Sequence, residues 1–385
     1  MTPIRATLKV IGLTVPAASL VISGCLAPTA RTSLEPPPAD VLRRVADGVL
    51  VDFPQPPPFD WGEGVLMAGM MRAGTVLNEP RYVGFVRTWA DHWHKEGLET
   101  ILRGRPGDPI KGYCGHWGSG YPVILLYEKT RKPVYLDMVR QIAGFIMTEA
   151  TRTPEGGLGH WQGSQQLWVD TLYMVVPPFA HLTRLTGERQ YLDEAVRQIN
   201  IYQGHNQDAG GLFWHNYDDA ARKLLGALWG RGNGWVAMSY VEVLRQLPKN
   251  SPEYGKLCAD YGRLMDALLA CQDKESRLWH TVLDHPETYL ETSASAMFLG
   301  SLVEADRLGI YHLKDRNVIP ATWAALAAKV DREDRVLDVS GGTMAGTVKQ
   351  YGDKERGTYT WGTGAFLLAA AALHDASTLR TEDRR

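Results

Sequence analysis

The chain has no excess of positive charge: 41 basic against 43 acidic side chains leave a formal net charge of -2. A nucleic-acid backbone or an anionic membrane surface is held by a basic excess, so no nucleic-acid partner is expected. Cysteine is scarce, with four in 385 residues. Beyond Cys25 only Cys114, Cys258 and Cys271 remain, an odd number that argues against a disulfide framework. Cys258 and Cys271 read as lying on one helix, where thirteen residues at about 1.5 Å each separate them by roughly 20 Å, too far for a disulfide. All three are expected to be core thiols. No Cys or His spacing matches a zinc site, since His92 and His94, two apart, point to different sides of a helix. The low hydrophobicity and high charge that mark disorder are also missing, for hydrophobic residues make up 44% and charged ones 22%. Phenylalanine is rare, 8 against 12 Trp and 16 Tyr, which biases the aromatics toward rings with a hydrogen-bonding edge. Such rings suit a sugar-binding cleft, and equally a core with polar edges.

Residues 1 to 25 read as an export signal. Arg5 and Lys9 precede the apolar run Val10 to Ile22, which is too short and too interrupted to span a bilayer. The run ends in Ile22-Ser23-Gly24-Cys25, which resembles a bacterial lipobox and makes Cys25 the expected lipidation site. Residues 26 to 40, rich in Ala, Thr and Pro, read as a flexible tether. A single domain over 41 to 385 is expected to hang from a membrane by its lipid, exported and facing the periplasm.

Four segments share a turn followed by tyrosine, and Tyr82, Tyr135, Tyr191 and Tyr254 follow one another at 53, 56 and 63 residues. Each turn links an apolar, small-residue helix to an amphipathic one, as in Tyr191-Leu192-x-x-Ala195-Val196-x-x-Ile199. Six apolar helices are expected to start near Trp61, Trp117, Asp170, Trp235, Ser293 and Trp361. Helices that are apolar all round, such as Ala365 to Leu373, must be buried. Partners such as Asp137 to Glu149 and Ser251 to Gln272 carry a charged face. Six buried helices alternating with six half-exposed ones predict an all-α (α/α)6 barrel, an inner ring inside an outer one; a superhelical solenoid of hairpins is the other reading.

In such a toroid the inner helices run the same way, so their N-terminal ends converge on one mouth. There the sequence keeps Trp61, His116, His160, Trp168, Asp170, His215, Trp229, Arg231, Trp235 and Glu291. Helix N-termini favour anions, so a negatively charged sugar would fit. Asp170 stands among aromatic and aliphatic residues that should desolvate it and raise its pKa, as a general acid needs, while the helix N-terminus opposes this; a helix cap is the plain alternative. In Trp229-Gly230-Arg231-Gly232-Asn233-Gly234-Trp235, three alternating glycines would let the backbone approach a ligand or take positive φ. Arg231 would then offer a two-pronged fork to a carboxylate, or pair with a protein acid. His160 and His215 are candidates for hydrogen bonds to sugar hydroxyls or to the acid, or for structural contacts.

The Leu167 to Met174 segment, Phe213-Trp214-His215, the Trp229 to Trp235 motif and Leu290 to Met297 together closely resemble glycoside hydrolase families 88 and 105. These are the unsaturated glucuronyl and unsaturated rhamnogalacturonyl hydrolases, and the likeness runs from about Asp60 to the final inner helix. The resemblance implies an (α/α)6 fold, with Asp170 as general acid and base and His160, His215, Trp229 and Arg231 lining the substrate. Trp61 falls where family members often have Tyr, and Trp61, His116 and Trp235 complete the expected substrate-binding set. The implied reaction protonates and hydrates the C4=C5 enol ether of a 4,5-unsaturated uronic acid at the end of an acidic oligosaccharide. No metal or organic cofactor is implied.

The family commonly carries a second Asp just before the second inner helix, whereas this chain reads Gly112-Tyr113-Cys114-Gly115-His116-Trp117-Gly118. His116 would take that place, or Asp60 or Glu63 would reach in from the first hairpin. Three other readings stand beside the favoured one. An exo-acting β-glucuronidase on saturated uronides would need a second carboxylate such as Glu63 or Glu291. A sugar isomerase would rest on a histidine pair, and a lipid-anchored glycan-binding protein would have no catalysis at all.

Overall fold

The computed structural model describes residues 34–53 and 57–382. The expected signal peptide, the lipidation site Cys25 and most of the expected tether lie outside them. The described elements run α1 (Pro38–Asp52), α2 (Trp61–Val76), α3 (Pro80–Glu96), α4 (Glu99–Arg103), α5 (Gly115–Gly118), α6 (Gly120–Thr130), α7 (Pro133–Thr148) and β1 (Gln166–Trp168). They continue with α8 (Asp170–Thr186), α9 (Arg189–Asn206), β2 (Asn216–Asp218), β3 (Lys223–Leu225), α10 (Gly230–Gln246), α11 (Pro252–Ala270) and α12 (Thr292–Leu308). Last come α13 (Val318–Ala327), β4 (Val339–Ser340), α14 (Val348–Gly352), β5 (Arg356–Gly357) and α15 (Thr360–Glu382).

Six helices, α2, α6, α8, α10, α12 and α15, pack side by side in that order, and α15 returns to α2, which closes an inner ring. The outer partners are α3, α7, α9, α11 and α13, and the sixth is α1, which packs on α15. The fold is the (α/α)6 toroid. Its outer ring is completed by α1, the first of the described helices. Because α1 begins at Pro38, the last three residues of the expected tether are helical; a proline without N–H suits a first helical position, where that donor has no partner anyway.

The repeated turn has a physical basis. Helices α3, α7 and α11 also open with proline. The tyrosine two residues later is buried in α3 and α7 and ties its helix to the preceding outer one: Tyr82 donates to Asp47 at 2.6 Å, and Tyr135 donates to Asp91 at 2.7 Å. The seam that closes the inner ring is tight. A Cβ at Gly364 of α15 would stand 2.4 Å from the carbonyl oxygen of Val65 in α2, so only glycine admits this approach.

Two inner helices differ from the expected starts. The second is broken at Ser119 into α5 and α6. The fourth begins at Gly230, five residues before Trp235, so the glycine-rich motif is helix and not loop. None of its glycines has positive φ. They are small because neighbours are close: a Cβ on Gly230 would meet the His280 carbonyl oxygen at 2.9 Å, and one on Gly234 the Met297 sulfur at 2.6 Å. The expected core thiols divide, Cys114 being buried while Cys258 and Cys271, on α11 and at its C-terminal cap, are half-buried.

Candidate active site

The segments that precede the inner helices are stitched together by backbone hydrogen bonds. Cys114 N–H donates to the His160 carbonyl at 2.9 Å, Val169 N–H to the His215 carbonyl at 3.1 Å, and His215 N–H to the Ala227 carbonyl at 3.0 Å. Strands β1, β2 and β3 form an antiparallel sheet with Leu167 opposite Tyr217 and Tyr217 opposite Leu224. This small sheet hands the chain from Trp168 into α8, whose first residue is Asp170.

Asp170 keeps 19% of its side chain exposed, and its Oδ2 lies 3.4 Å from Nε2 of the buried His215. Asp170 is the first residue of its helix, after the N-cap position held by Val169. Both Oδ2 and the His215 Nε2 are buried and otherwise without hydrogen-bond partners. Burial pushes the Asp170 carboxyl up, but hydrogen-bonding contact with His215 and the electrostatic influence of His215, His160 and the Arg231 guanidinium outweigh it and hold the pKa below the usual carboxylate value. The raised value expected from the neighbouring sequence is therefore corrected. The hydrophobic neighbours do desolvate the group, but the deciding charges come from residues distant in sequence.

His160 accompanies Asp170 from the segment between α7 and β1, just before it in the chain. Its Nδ1 lies 2.9 Å from Thr171 Oγ1 and 3.2 Å from Cys114 Sγ, and burial holds its pKa down at about 4. Its ring faces Trp168 at 5.2 Å, and Trp168 meets His215 edge-on at 5.0 Å. The other nitrogen of His215, Nδ1, lies 2.5 Å from the hydroxyl of Tyr351 in α14.

Arg231 is fully buried, its guanidinium 4.6 Å from the Trp229 ring and 5.6 Å from the Trp361 ring. Its fork is not free for a ligand. One amino group donates to the carbonyl of Ser340 at 2.9 Å and to the Ser340 hydroxyl, and the other donates to the carbonyl of Gly341 at 2.9 Å and to Thr343 Oγ1 at 3.3 Å. The guanidinium thus fastens the 340–343 segment over the site, and only its Nε is left without a partner. Asn233 is a brace as well, exchanging bonds with the Phe213 backbone at 2.8 and 2.9 Å.

The aromatics divide into two sets. Trp61, Trp361 and Tyr359 are half-buried and form a ladder, with ring centres 4.5 Å apart for the tryptophans and 4.6 Å for Tyr359 and Trp361. Partly open faces of this kind can stack on a sugar ring. Trp229 and Trp235 are buried, Trp235 against Tyr173 at 4.9 Å, so they offer no ring face; what each has to spare is an indole N–H without a partner.

Three acids were candidates for a second carboxylate. Glu291 caps α12, accepting from the N–H groups of Ser293, Ala294 and Ser340 and from the Ser293 hydroxyl, all within the protein. Glu63 is half-buried, accepts from Thr360 Oγ1 at 3.3 Å, and is raised in pKa chiefly by burial. Asp60 caps α2 through the Trp61 N–H at 2.8 Å, and its Oδ1 stands 2.7 Å from where a Cβ of Gly115 would be. Burial raises its pKa, while the facing His116 pulls it down. Burial lowers the pKa of His116, whose Nδ1 has no partner.

The structure therefore brings Asp170, His160, His215, Trp229 and Arg231 into one assembly, with His116 and Asp60 on the adjoining wall. Sequence reasoning missed Tyr351, Thr171 and Ser340: Thr171 stands in the Leu167 to Met174 motif but only as the neighbour of Asp170, while Ser340 and Tyr351 lie between the last two inner helices, outside the repeat and outside any motif.

A family model described as Glycosyl Hydrolase Family 88 matches residues 39–376. The unsaturated rhamnogalacturonyl hydrolase YesR of Bacillus subtilis is 29% identical over 293 residues, 74% of this chain and 80% of that protein. An unsaturated 3S-rhamnoglycuronyl hydrolase of Formosa agariphila is 25% identical over 344 residues, 82% and 84% of the two chains. Among solved structures, a possible member of the GH105 family from Salmonella enterica superposes with a TM-score of 0.79 at 24% identity, covering 94% of this chain and 99% of that one. The protein is a glycoside hydrolase and belongs to glycosyl hydrolase family 88.

Proposed function

We propose that the protein releases 4,5-unsaturated uronic acid from the non-reducing end of oligosaccharides left by polysaccharide lyases. The observation that carries this reading is the partly exposed Asp170 carboxyl, whose Oδ2 has no hydrogen-bond partner and faces His215 at 3.4 Å. As an acid Asp170 protonates C4 of the enol ether, and positive charge develops at C5 and the ring oxygen. As a carboxylate it then takes a proton from water, which attacks C5. The resulting hemiketal opens, leaving a ketone at C5, and the hemiacetal at C1 collapses and expels the remaining chain. The low pKa of the free site suits the second step. For the first step, the substrate's own carboxylate placed nearby disfavours a second negative charge and raises Asp170 toward its acid form.

The adjoining wall has no acid at the start of the second inner helix, and Asp60 comes to that place from the cap of the first, its Oδ1 standing 2.7 Å from where a Gly115 Cβ would be. We assign Asp60 as the second carboxylate, beside His116, with the Trp61, Trp361 and Tyr359 ladder as the sugar platform. Of the two acids a saturated-glucuronide mechanism would draw on, Glu291 has its oxygens engaged by three backbone N–H groups and a hydroxyl, which weighs against that reading. Lyase digests of pectin, ulvan, glycosaminoglycan and arabinogalactan, followed by loss of the enol-ether ultraviolet absorbance, test the substrate class. Asp170→Asn should abolish that loss; retained turnover would reject the assignment. The lipobox-like segment ending at Cys25 further supports an exported, lipid-anchored enzyme, and Cys25→Ala should move it from the membrane fraction to the soluble one.

A further inference from the structure

The segment between α13 and α15 places a phenol on the catalytic histidine. Tyr351 lies on α14, whose start is fixed by a capping box between Thr347 and Gln350. Its ring is buried with Ala227, Trp229 and Val282, and its hydroxyl lies 2.5 Å from His215 Nδ1. Gly226, at φ +84, makes room: a Cβ there would stand 2.6 Å from the phenol oxygen and 3.0 Å from the His215 Cβ. This is an enforced contact, made between residues 136 apart in the chain.

Its polarity follows from what surrounds it. Burial raises the Tyr351 pKa, so the phenol keeps its proton. On the other side of the ring Nε2 faces the Asp170 carboxylate at 3.4 Å, an acceptor that favours a proton there and leaves the Tyr351 O–H to donate to Nδ1. An imidazole nitrogen that accepts a hydrogen bond carries no proton of its own, so the ring's N–H is on Nε2, the nitrogen facing Asp170 Oδ2.

We propose that Tyr351 is a positioning residue of the reaction: by donating to Nδ1 it locks His215 in the tautomer whose Nε2–H faces the Asp170 carboxylate. It acts through His215 and loses no proton in the cycle. The inference rests on the reading of Asp170 as acid and base given above. Without Tyr351 the ring is free to carry its proton on Nδ1 and to present a lone pair to Asp170, which favours the protonated carboxyl. The other charged or titratable groups that act on Asp170 are His160 and Arg231, with the Tyr113 and Tyr202 phenols and the Cys114 thiol within its field, and all remain in place.

The test is Tyr351→Phe in the full chain, with two readouts. The first is the 15N shifts of the His215 ring in histidine-labelled protein, assigned through His215→Gln. Wild type should show an unprotonated Nδ1 and a protonated Nε2, and Tyr351→Phe a mixture of tautomers. The second is the pH profile of kcat/KM on an unsaturated uronyl disaccharide. Tyr351→Phe should lower kcat about tenfold, equal to about 1.4 kcal/mol, leave KM within about twofold, and move the alkaline limb to higher pH. In His215→Gln, whose amide N–H can still face Asp170, adding Tyr351→Phe should cost nothing further. A protonated Nδ1 in wild type, an unmoved alkaline limb, or additive losses in the double variant would overturn the proposal. If no lyase digest is turned over, the functional reading falls on its own while the ring shifts still decide the tautomer; if Tyr351→Phe does not fold, the wild-type shifts decide it.

Discussion

Arg231→Lys separates a clamp from a ligand-binding fork. The guanidinium donates four hydrogen bonds, to the carbonyls of Ser340 and Gly341 and the hydroxyls of Ser340 and Thr343. An ammonium gathers its three N–H donors on one nitrogen and cannot span the two acceptor pairs that the guanidinium reaches with separate nitrogens, nor can it stack as a flat group between Trp229 and Trp361. Losing two charge-assisted bonds at roughly 1.5 kcal/mol each predicts a destabilisation of about 3 kcal/mol. For a chain of this size that lowers the melting temperature by roughly 5 °C. Release of the 340–343 segment should also open its neighbourhood to trypsin at Lys349, Lys354 and Arg356. The assays are thermal melting, timed proteolysis with mapped cleavage sites, and kcat/KM. An unchanged melting point and cleavage pattern, with KM alone raised for the charged substrate, would refute the clamp and restore the direct carboxylate contact.

At the far end of the toroid the inner helices enclose a cavity of about 330 Å³ whose lining includes His181, Glu128, Glu242, Arg245 and Glu304. Burial alone would lower the His181 pKa, but Glu128 at 2.5 Å and Glu242 at 3.0 Å raise it above the ordinary value, while Arg245 and His181 hold Glu242, against the pull of burial, down at about 2. The His181 contribution to stability is thus full below about pH 6.5, its unfolded value, and is lost as pH rises through the raised folded value. The Glu242 contribution is full above about pH 4.5 and is lost as pH falls toward 2. Denaturant midpoints should therefore be highest between those limits, and Glu242→Gln should flatten the alkaline decline; an unaltered decline would contradict the ion-pair account. Gly364→Ala forces a methyl against the Val65 carbonyl and should cost about 2 to 3 kcal/mol, read as a lower urea midpoint with an unchanged slope; a neutral result would mean that α2 and α15 separate freely. Asp60→Asn should lower kcat at least tenfold with little change in melting temperature, and full activity would return the second role to His116 or Glu63.

The ring of helices was legible because burial on all sides leaves an unmistakable pattern: Ala365 to Leu373 has no polar face to offer water. The turns were legible because Pro80, Pro133 and the tyrosines after them recur. Asp170, His215 and Arg231 were legible as a set, since their motifs resemble a known family. What escaped depends on contacts rather than on local pattern. The start of α10 was placed late because glycines carry little helix preference, and packing against His280, Val169 and Met297 overrides it. The fork of Arg231 looked available because its acceptors are backbone carbonyls 109 and 110 residues away, which no side-chain motif announces. The direction of the Asp170 shift depended on charges that only the folded chain assembles.

The packing of α1 on α15, together with the hydrogen bond from Trp323 to the Pro36 carbonyl across 287 residues, has a consequence for biogenesis. Helix α1, the earliest of the described helices to emerge, has to wait, with an apolar face uncovered, until nearly the whole polypeptide has been synthesised. Contacts so distant along the chain are slow to form, and a polypeptide truncated before Thr360 leaves a wedge-shaped gap that no other element can fill. Such a product is expected to be captured by chaperones or degraded rather than to persist as a smaller working enzyme.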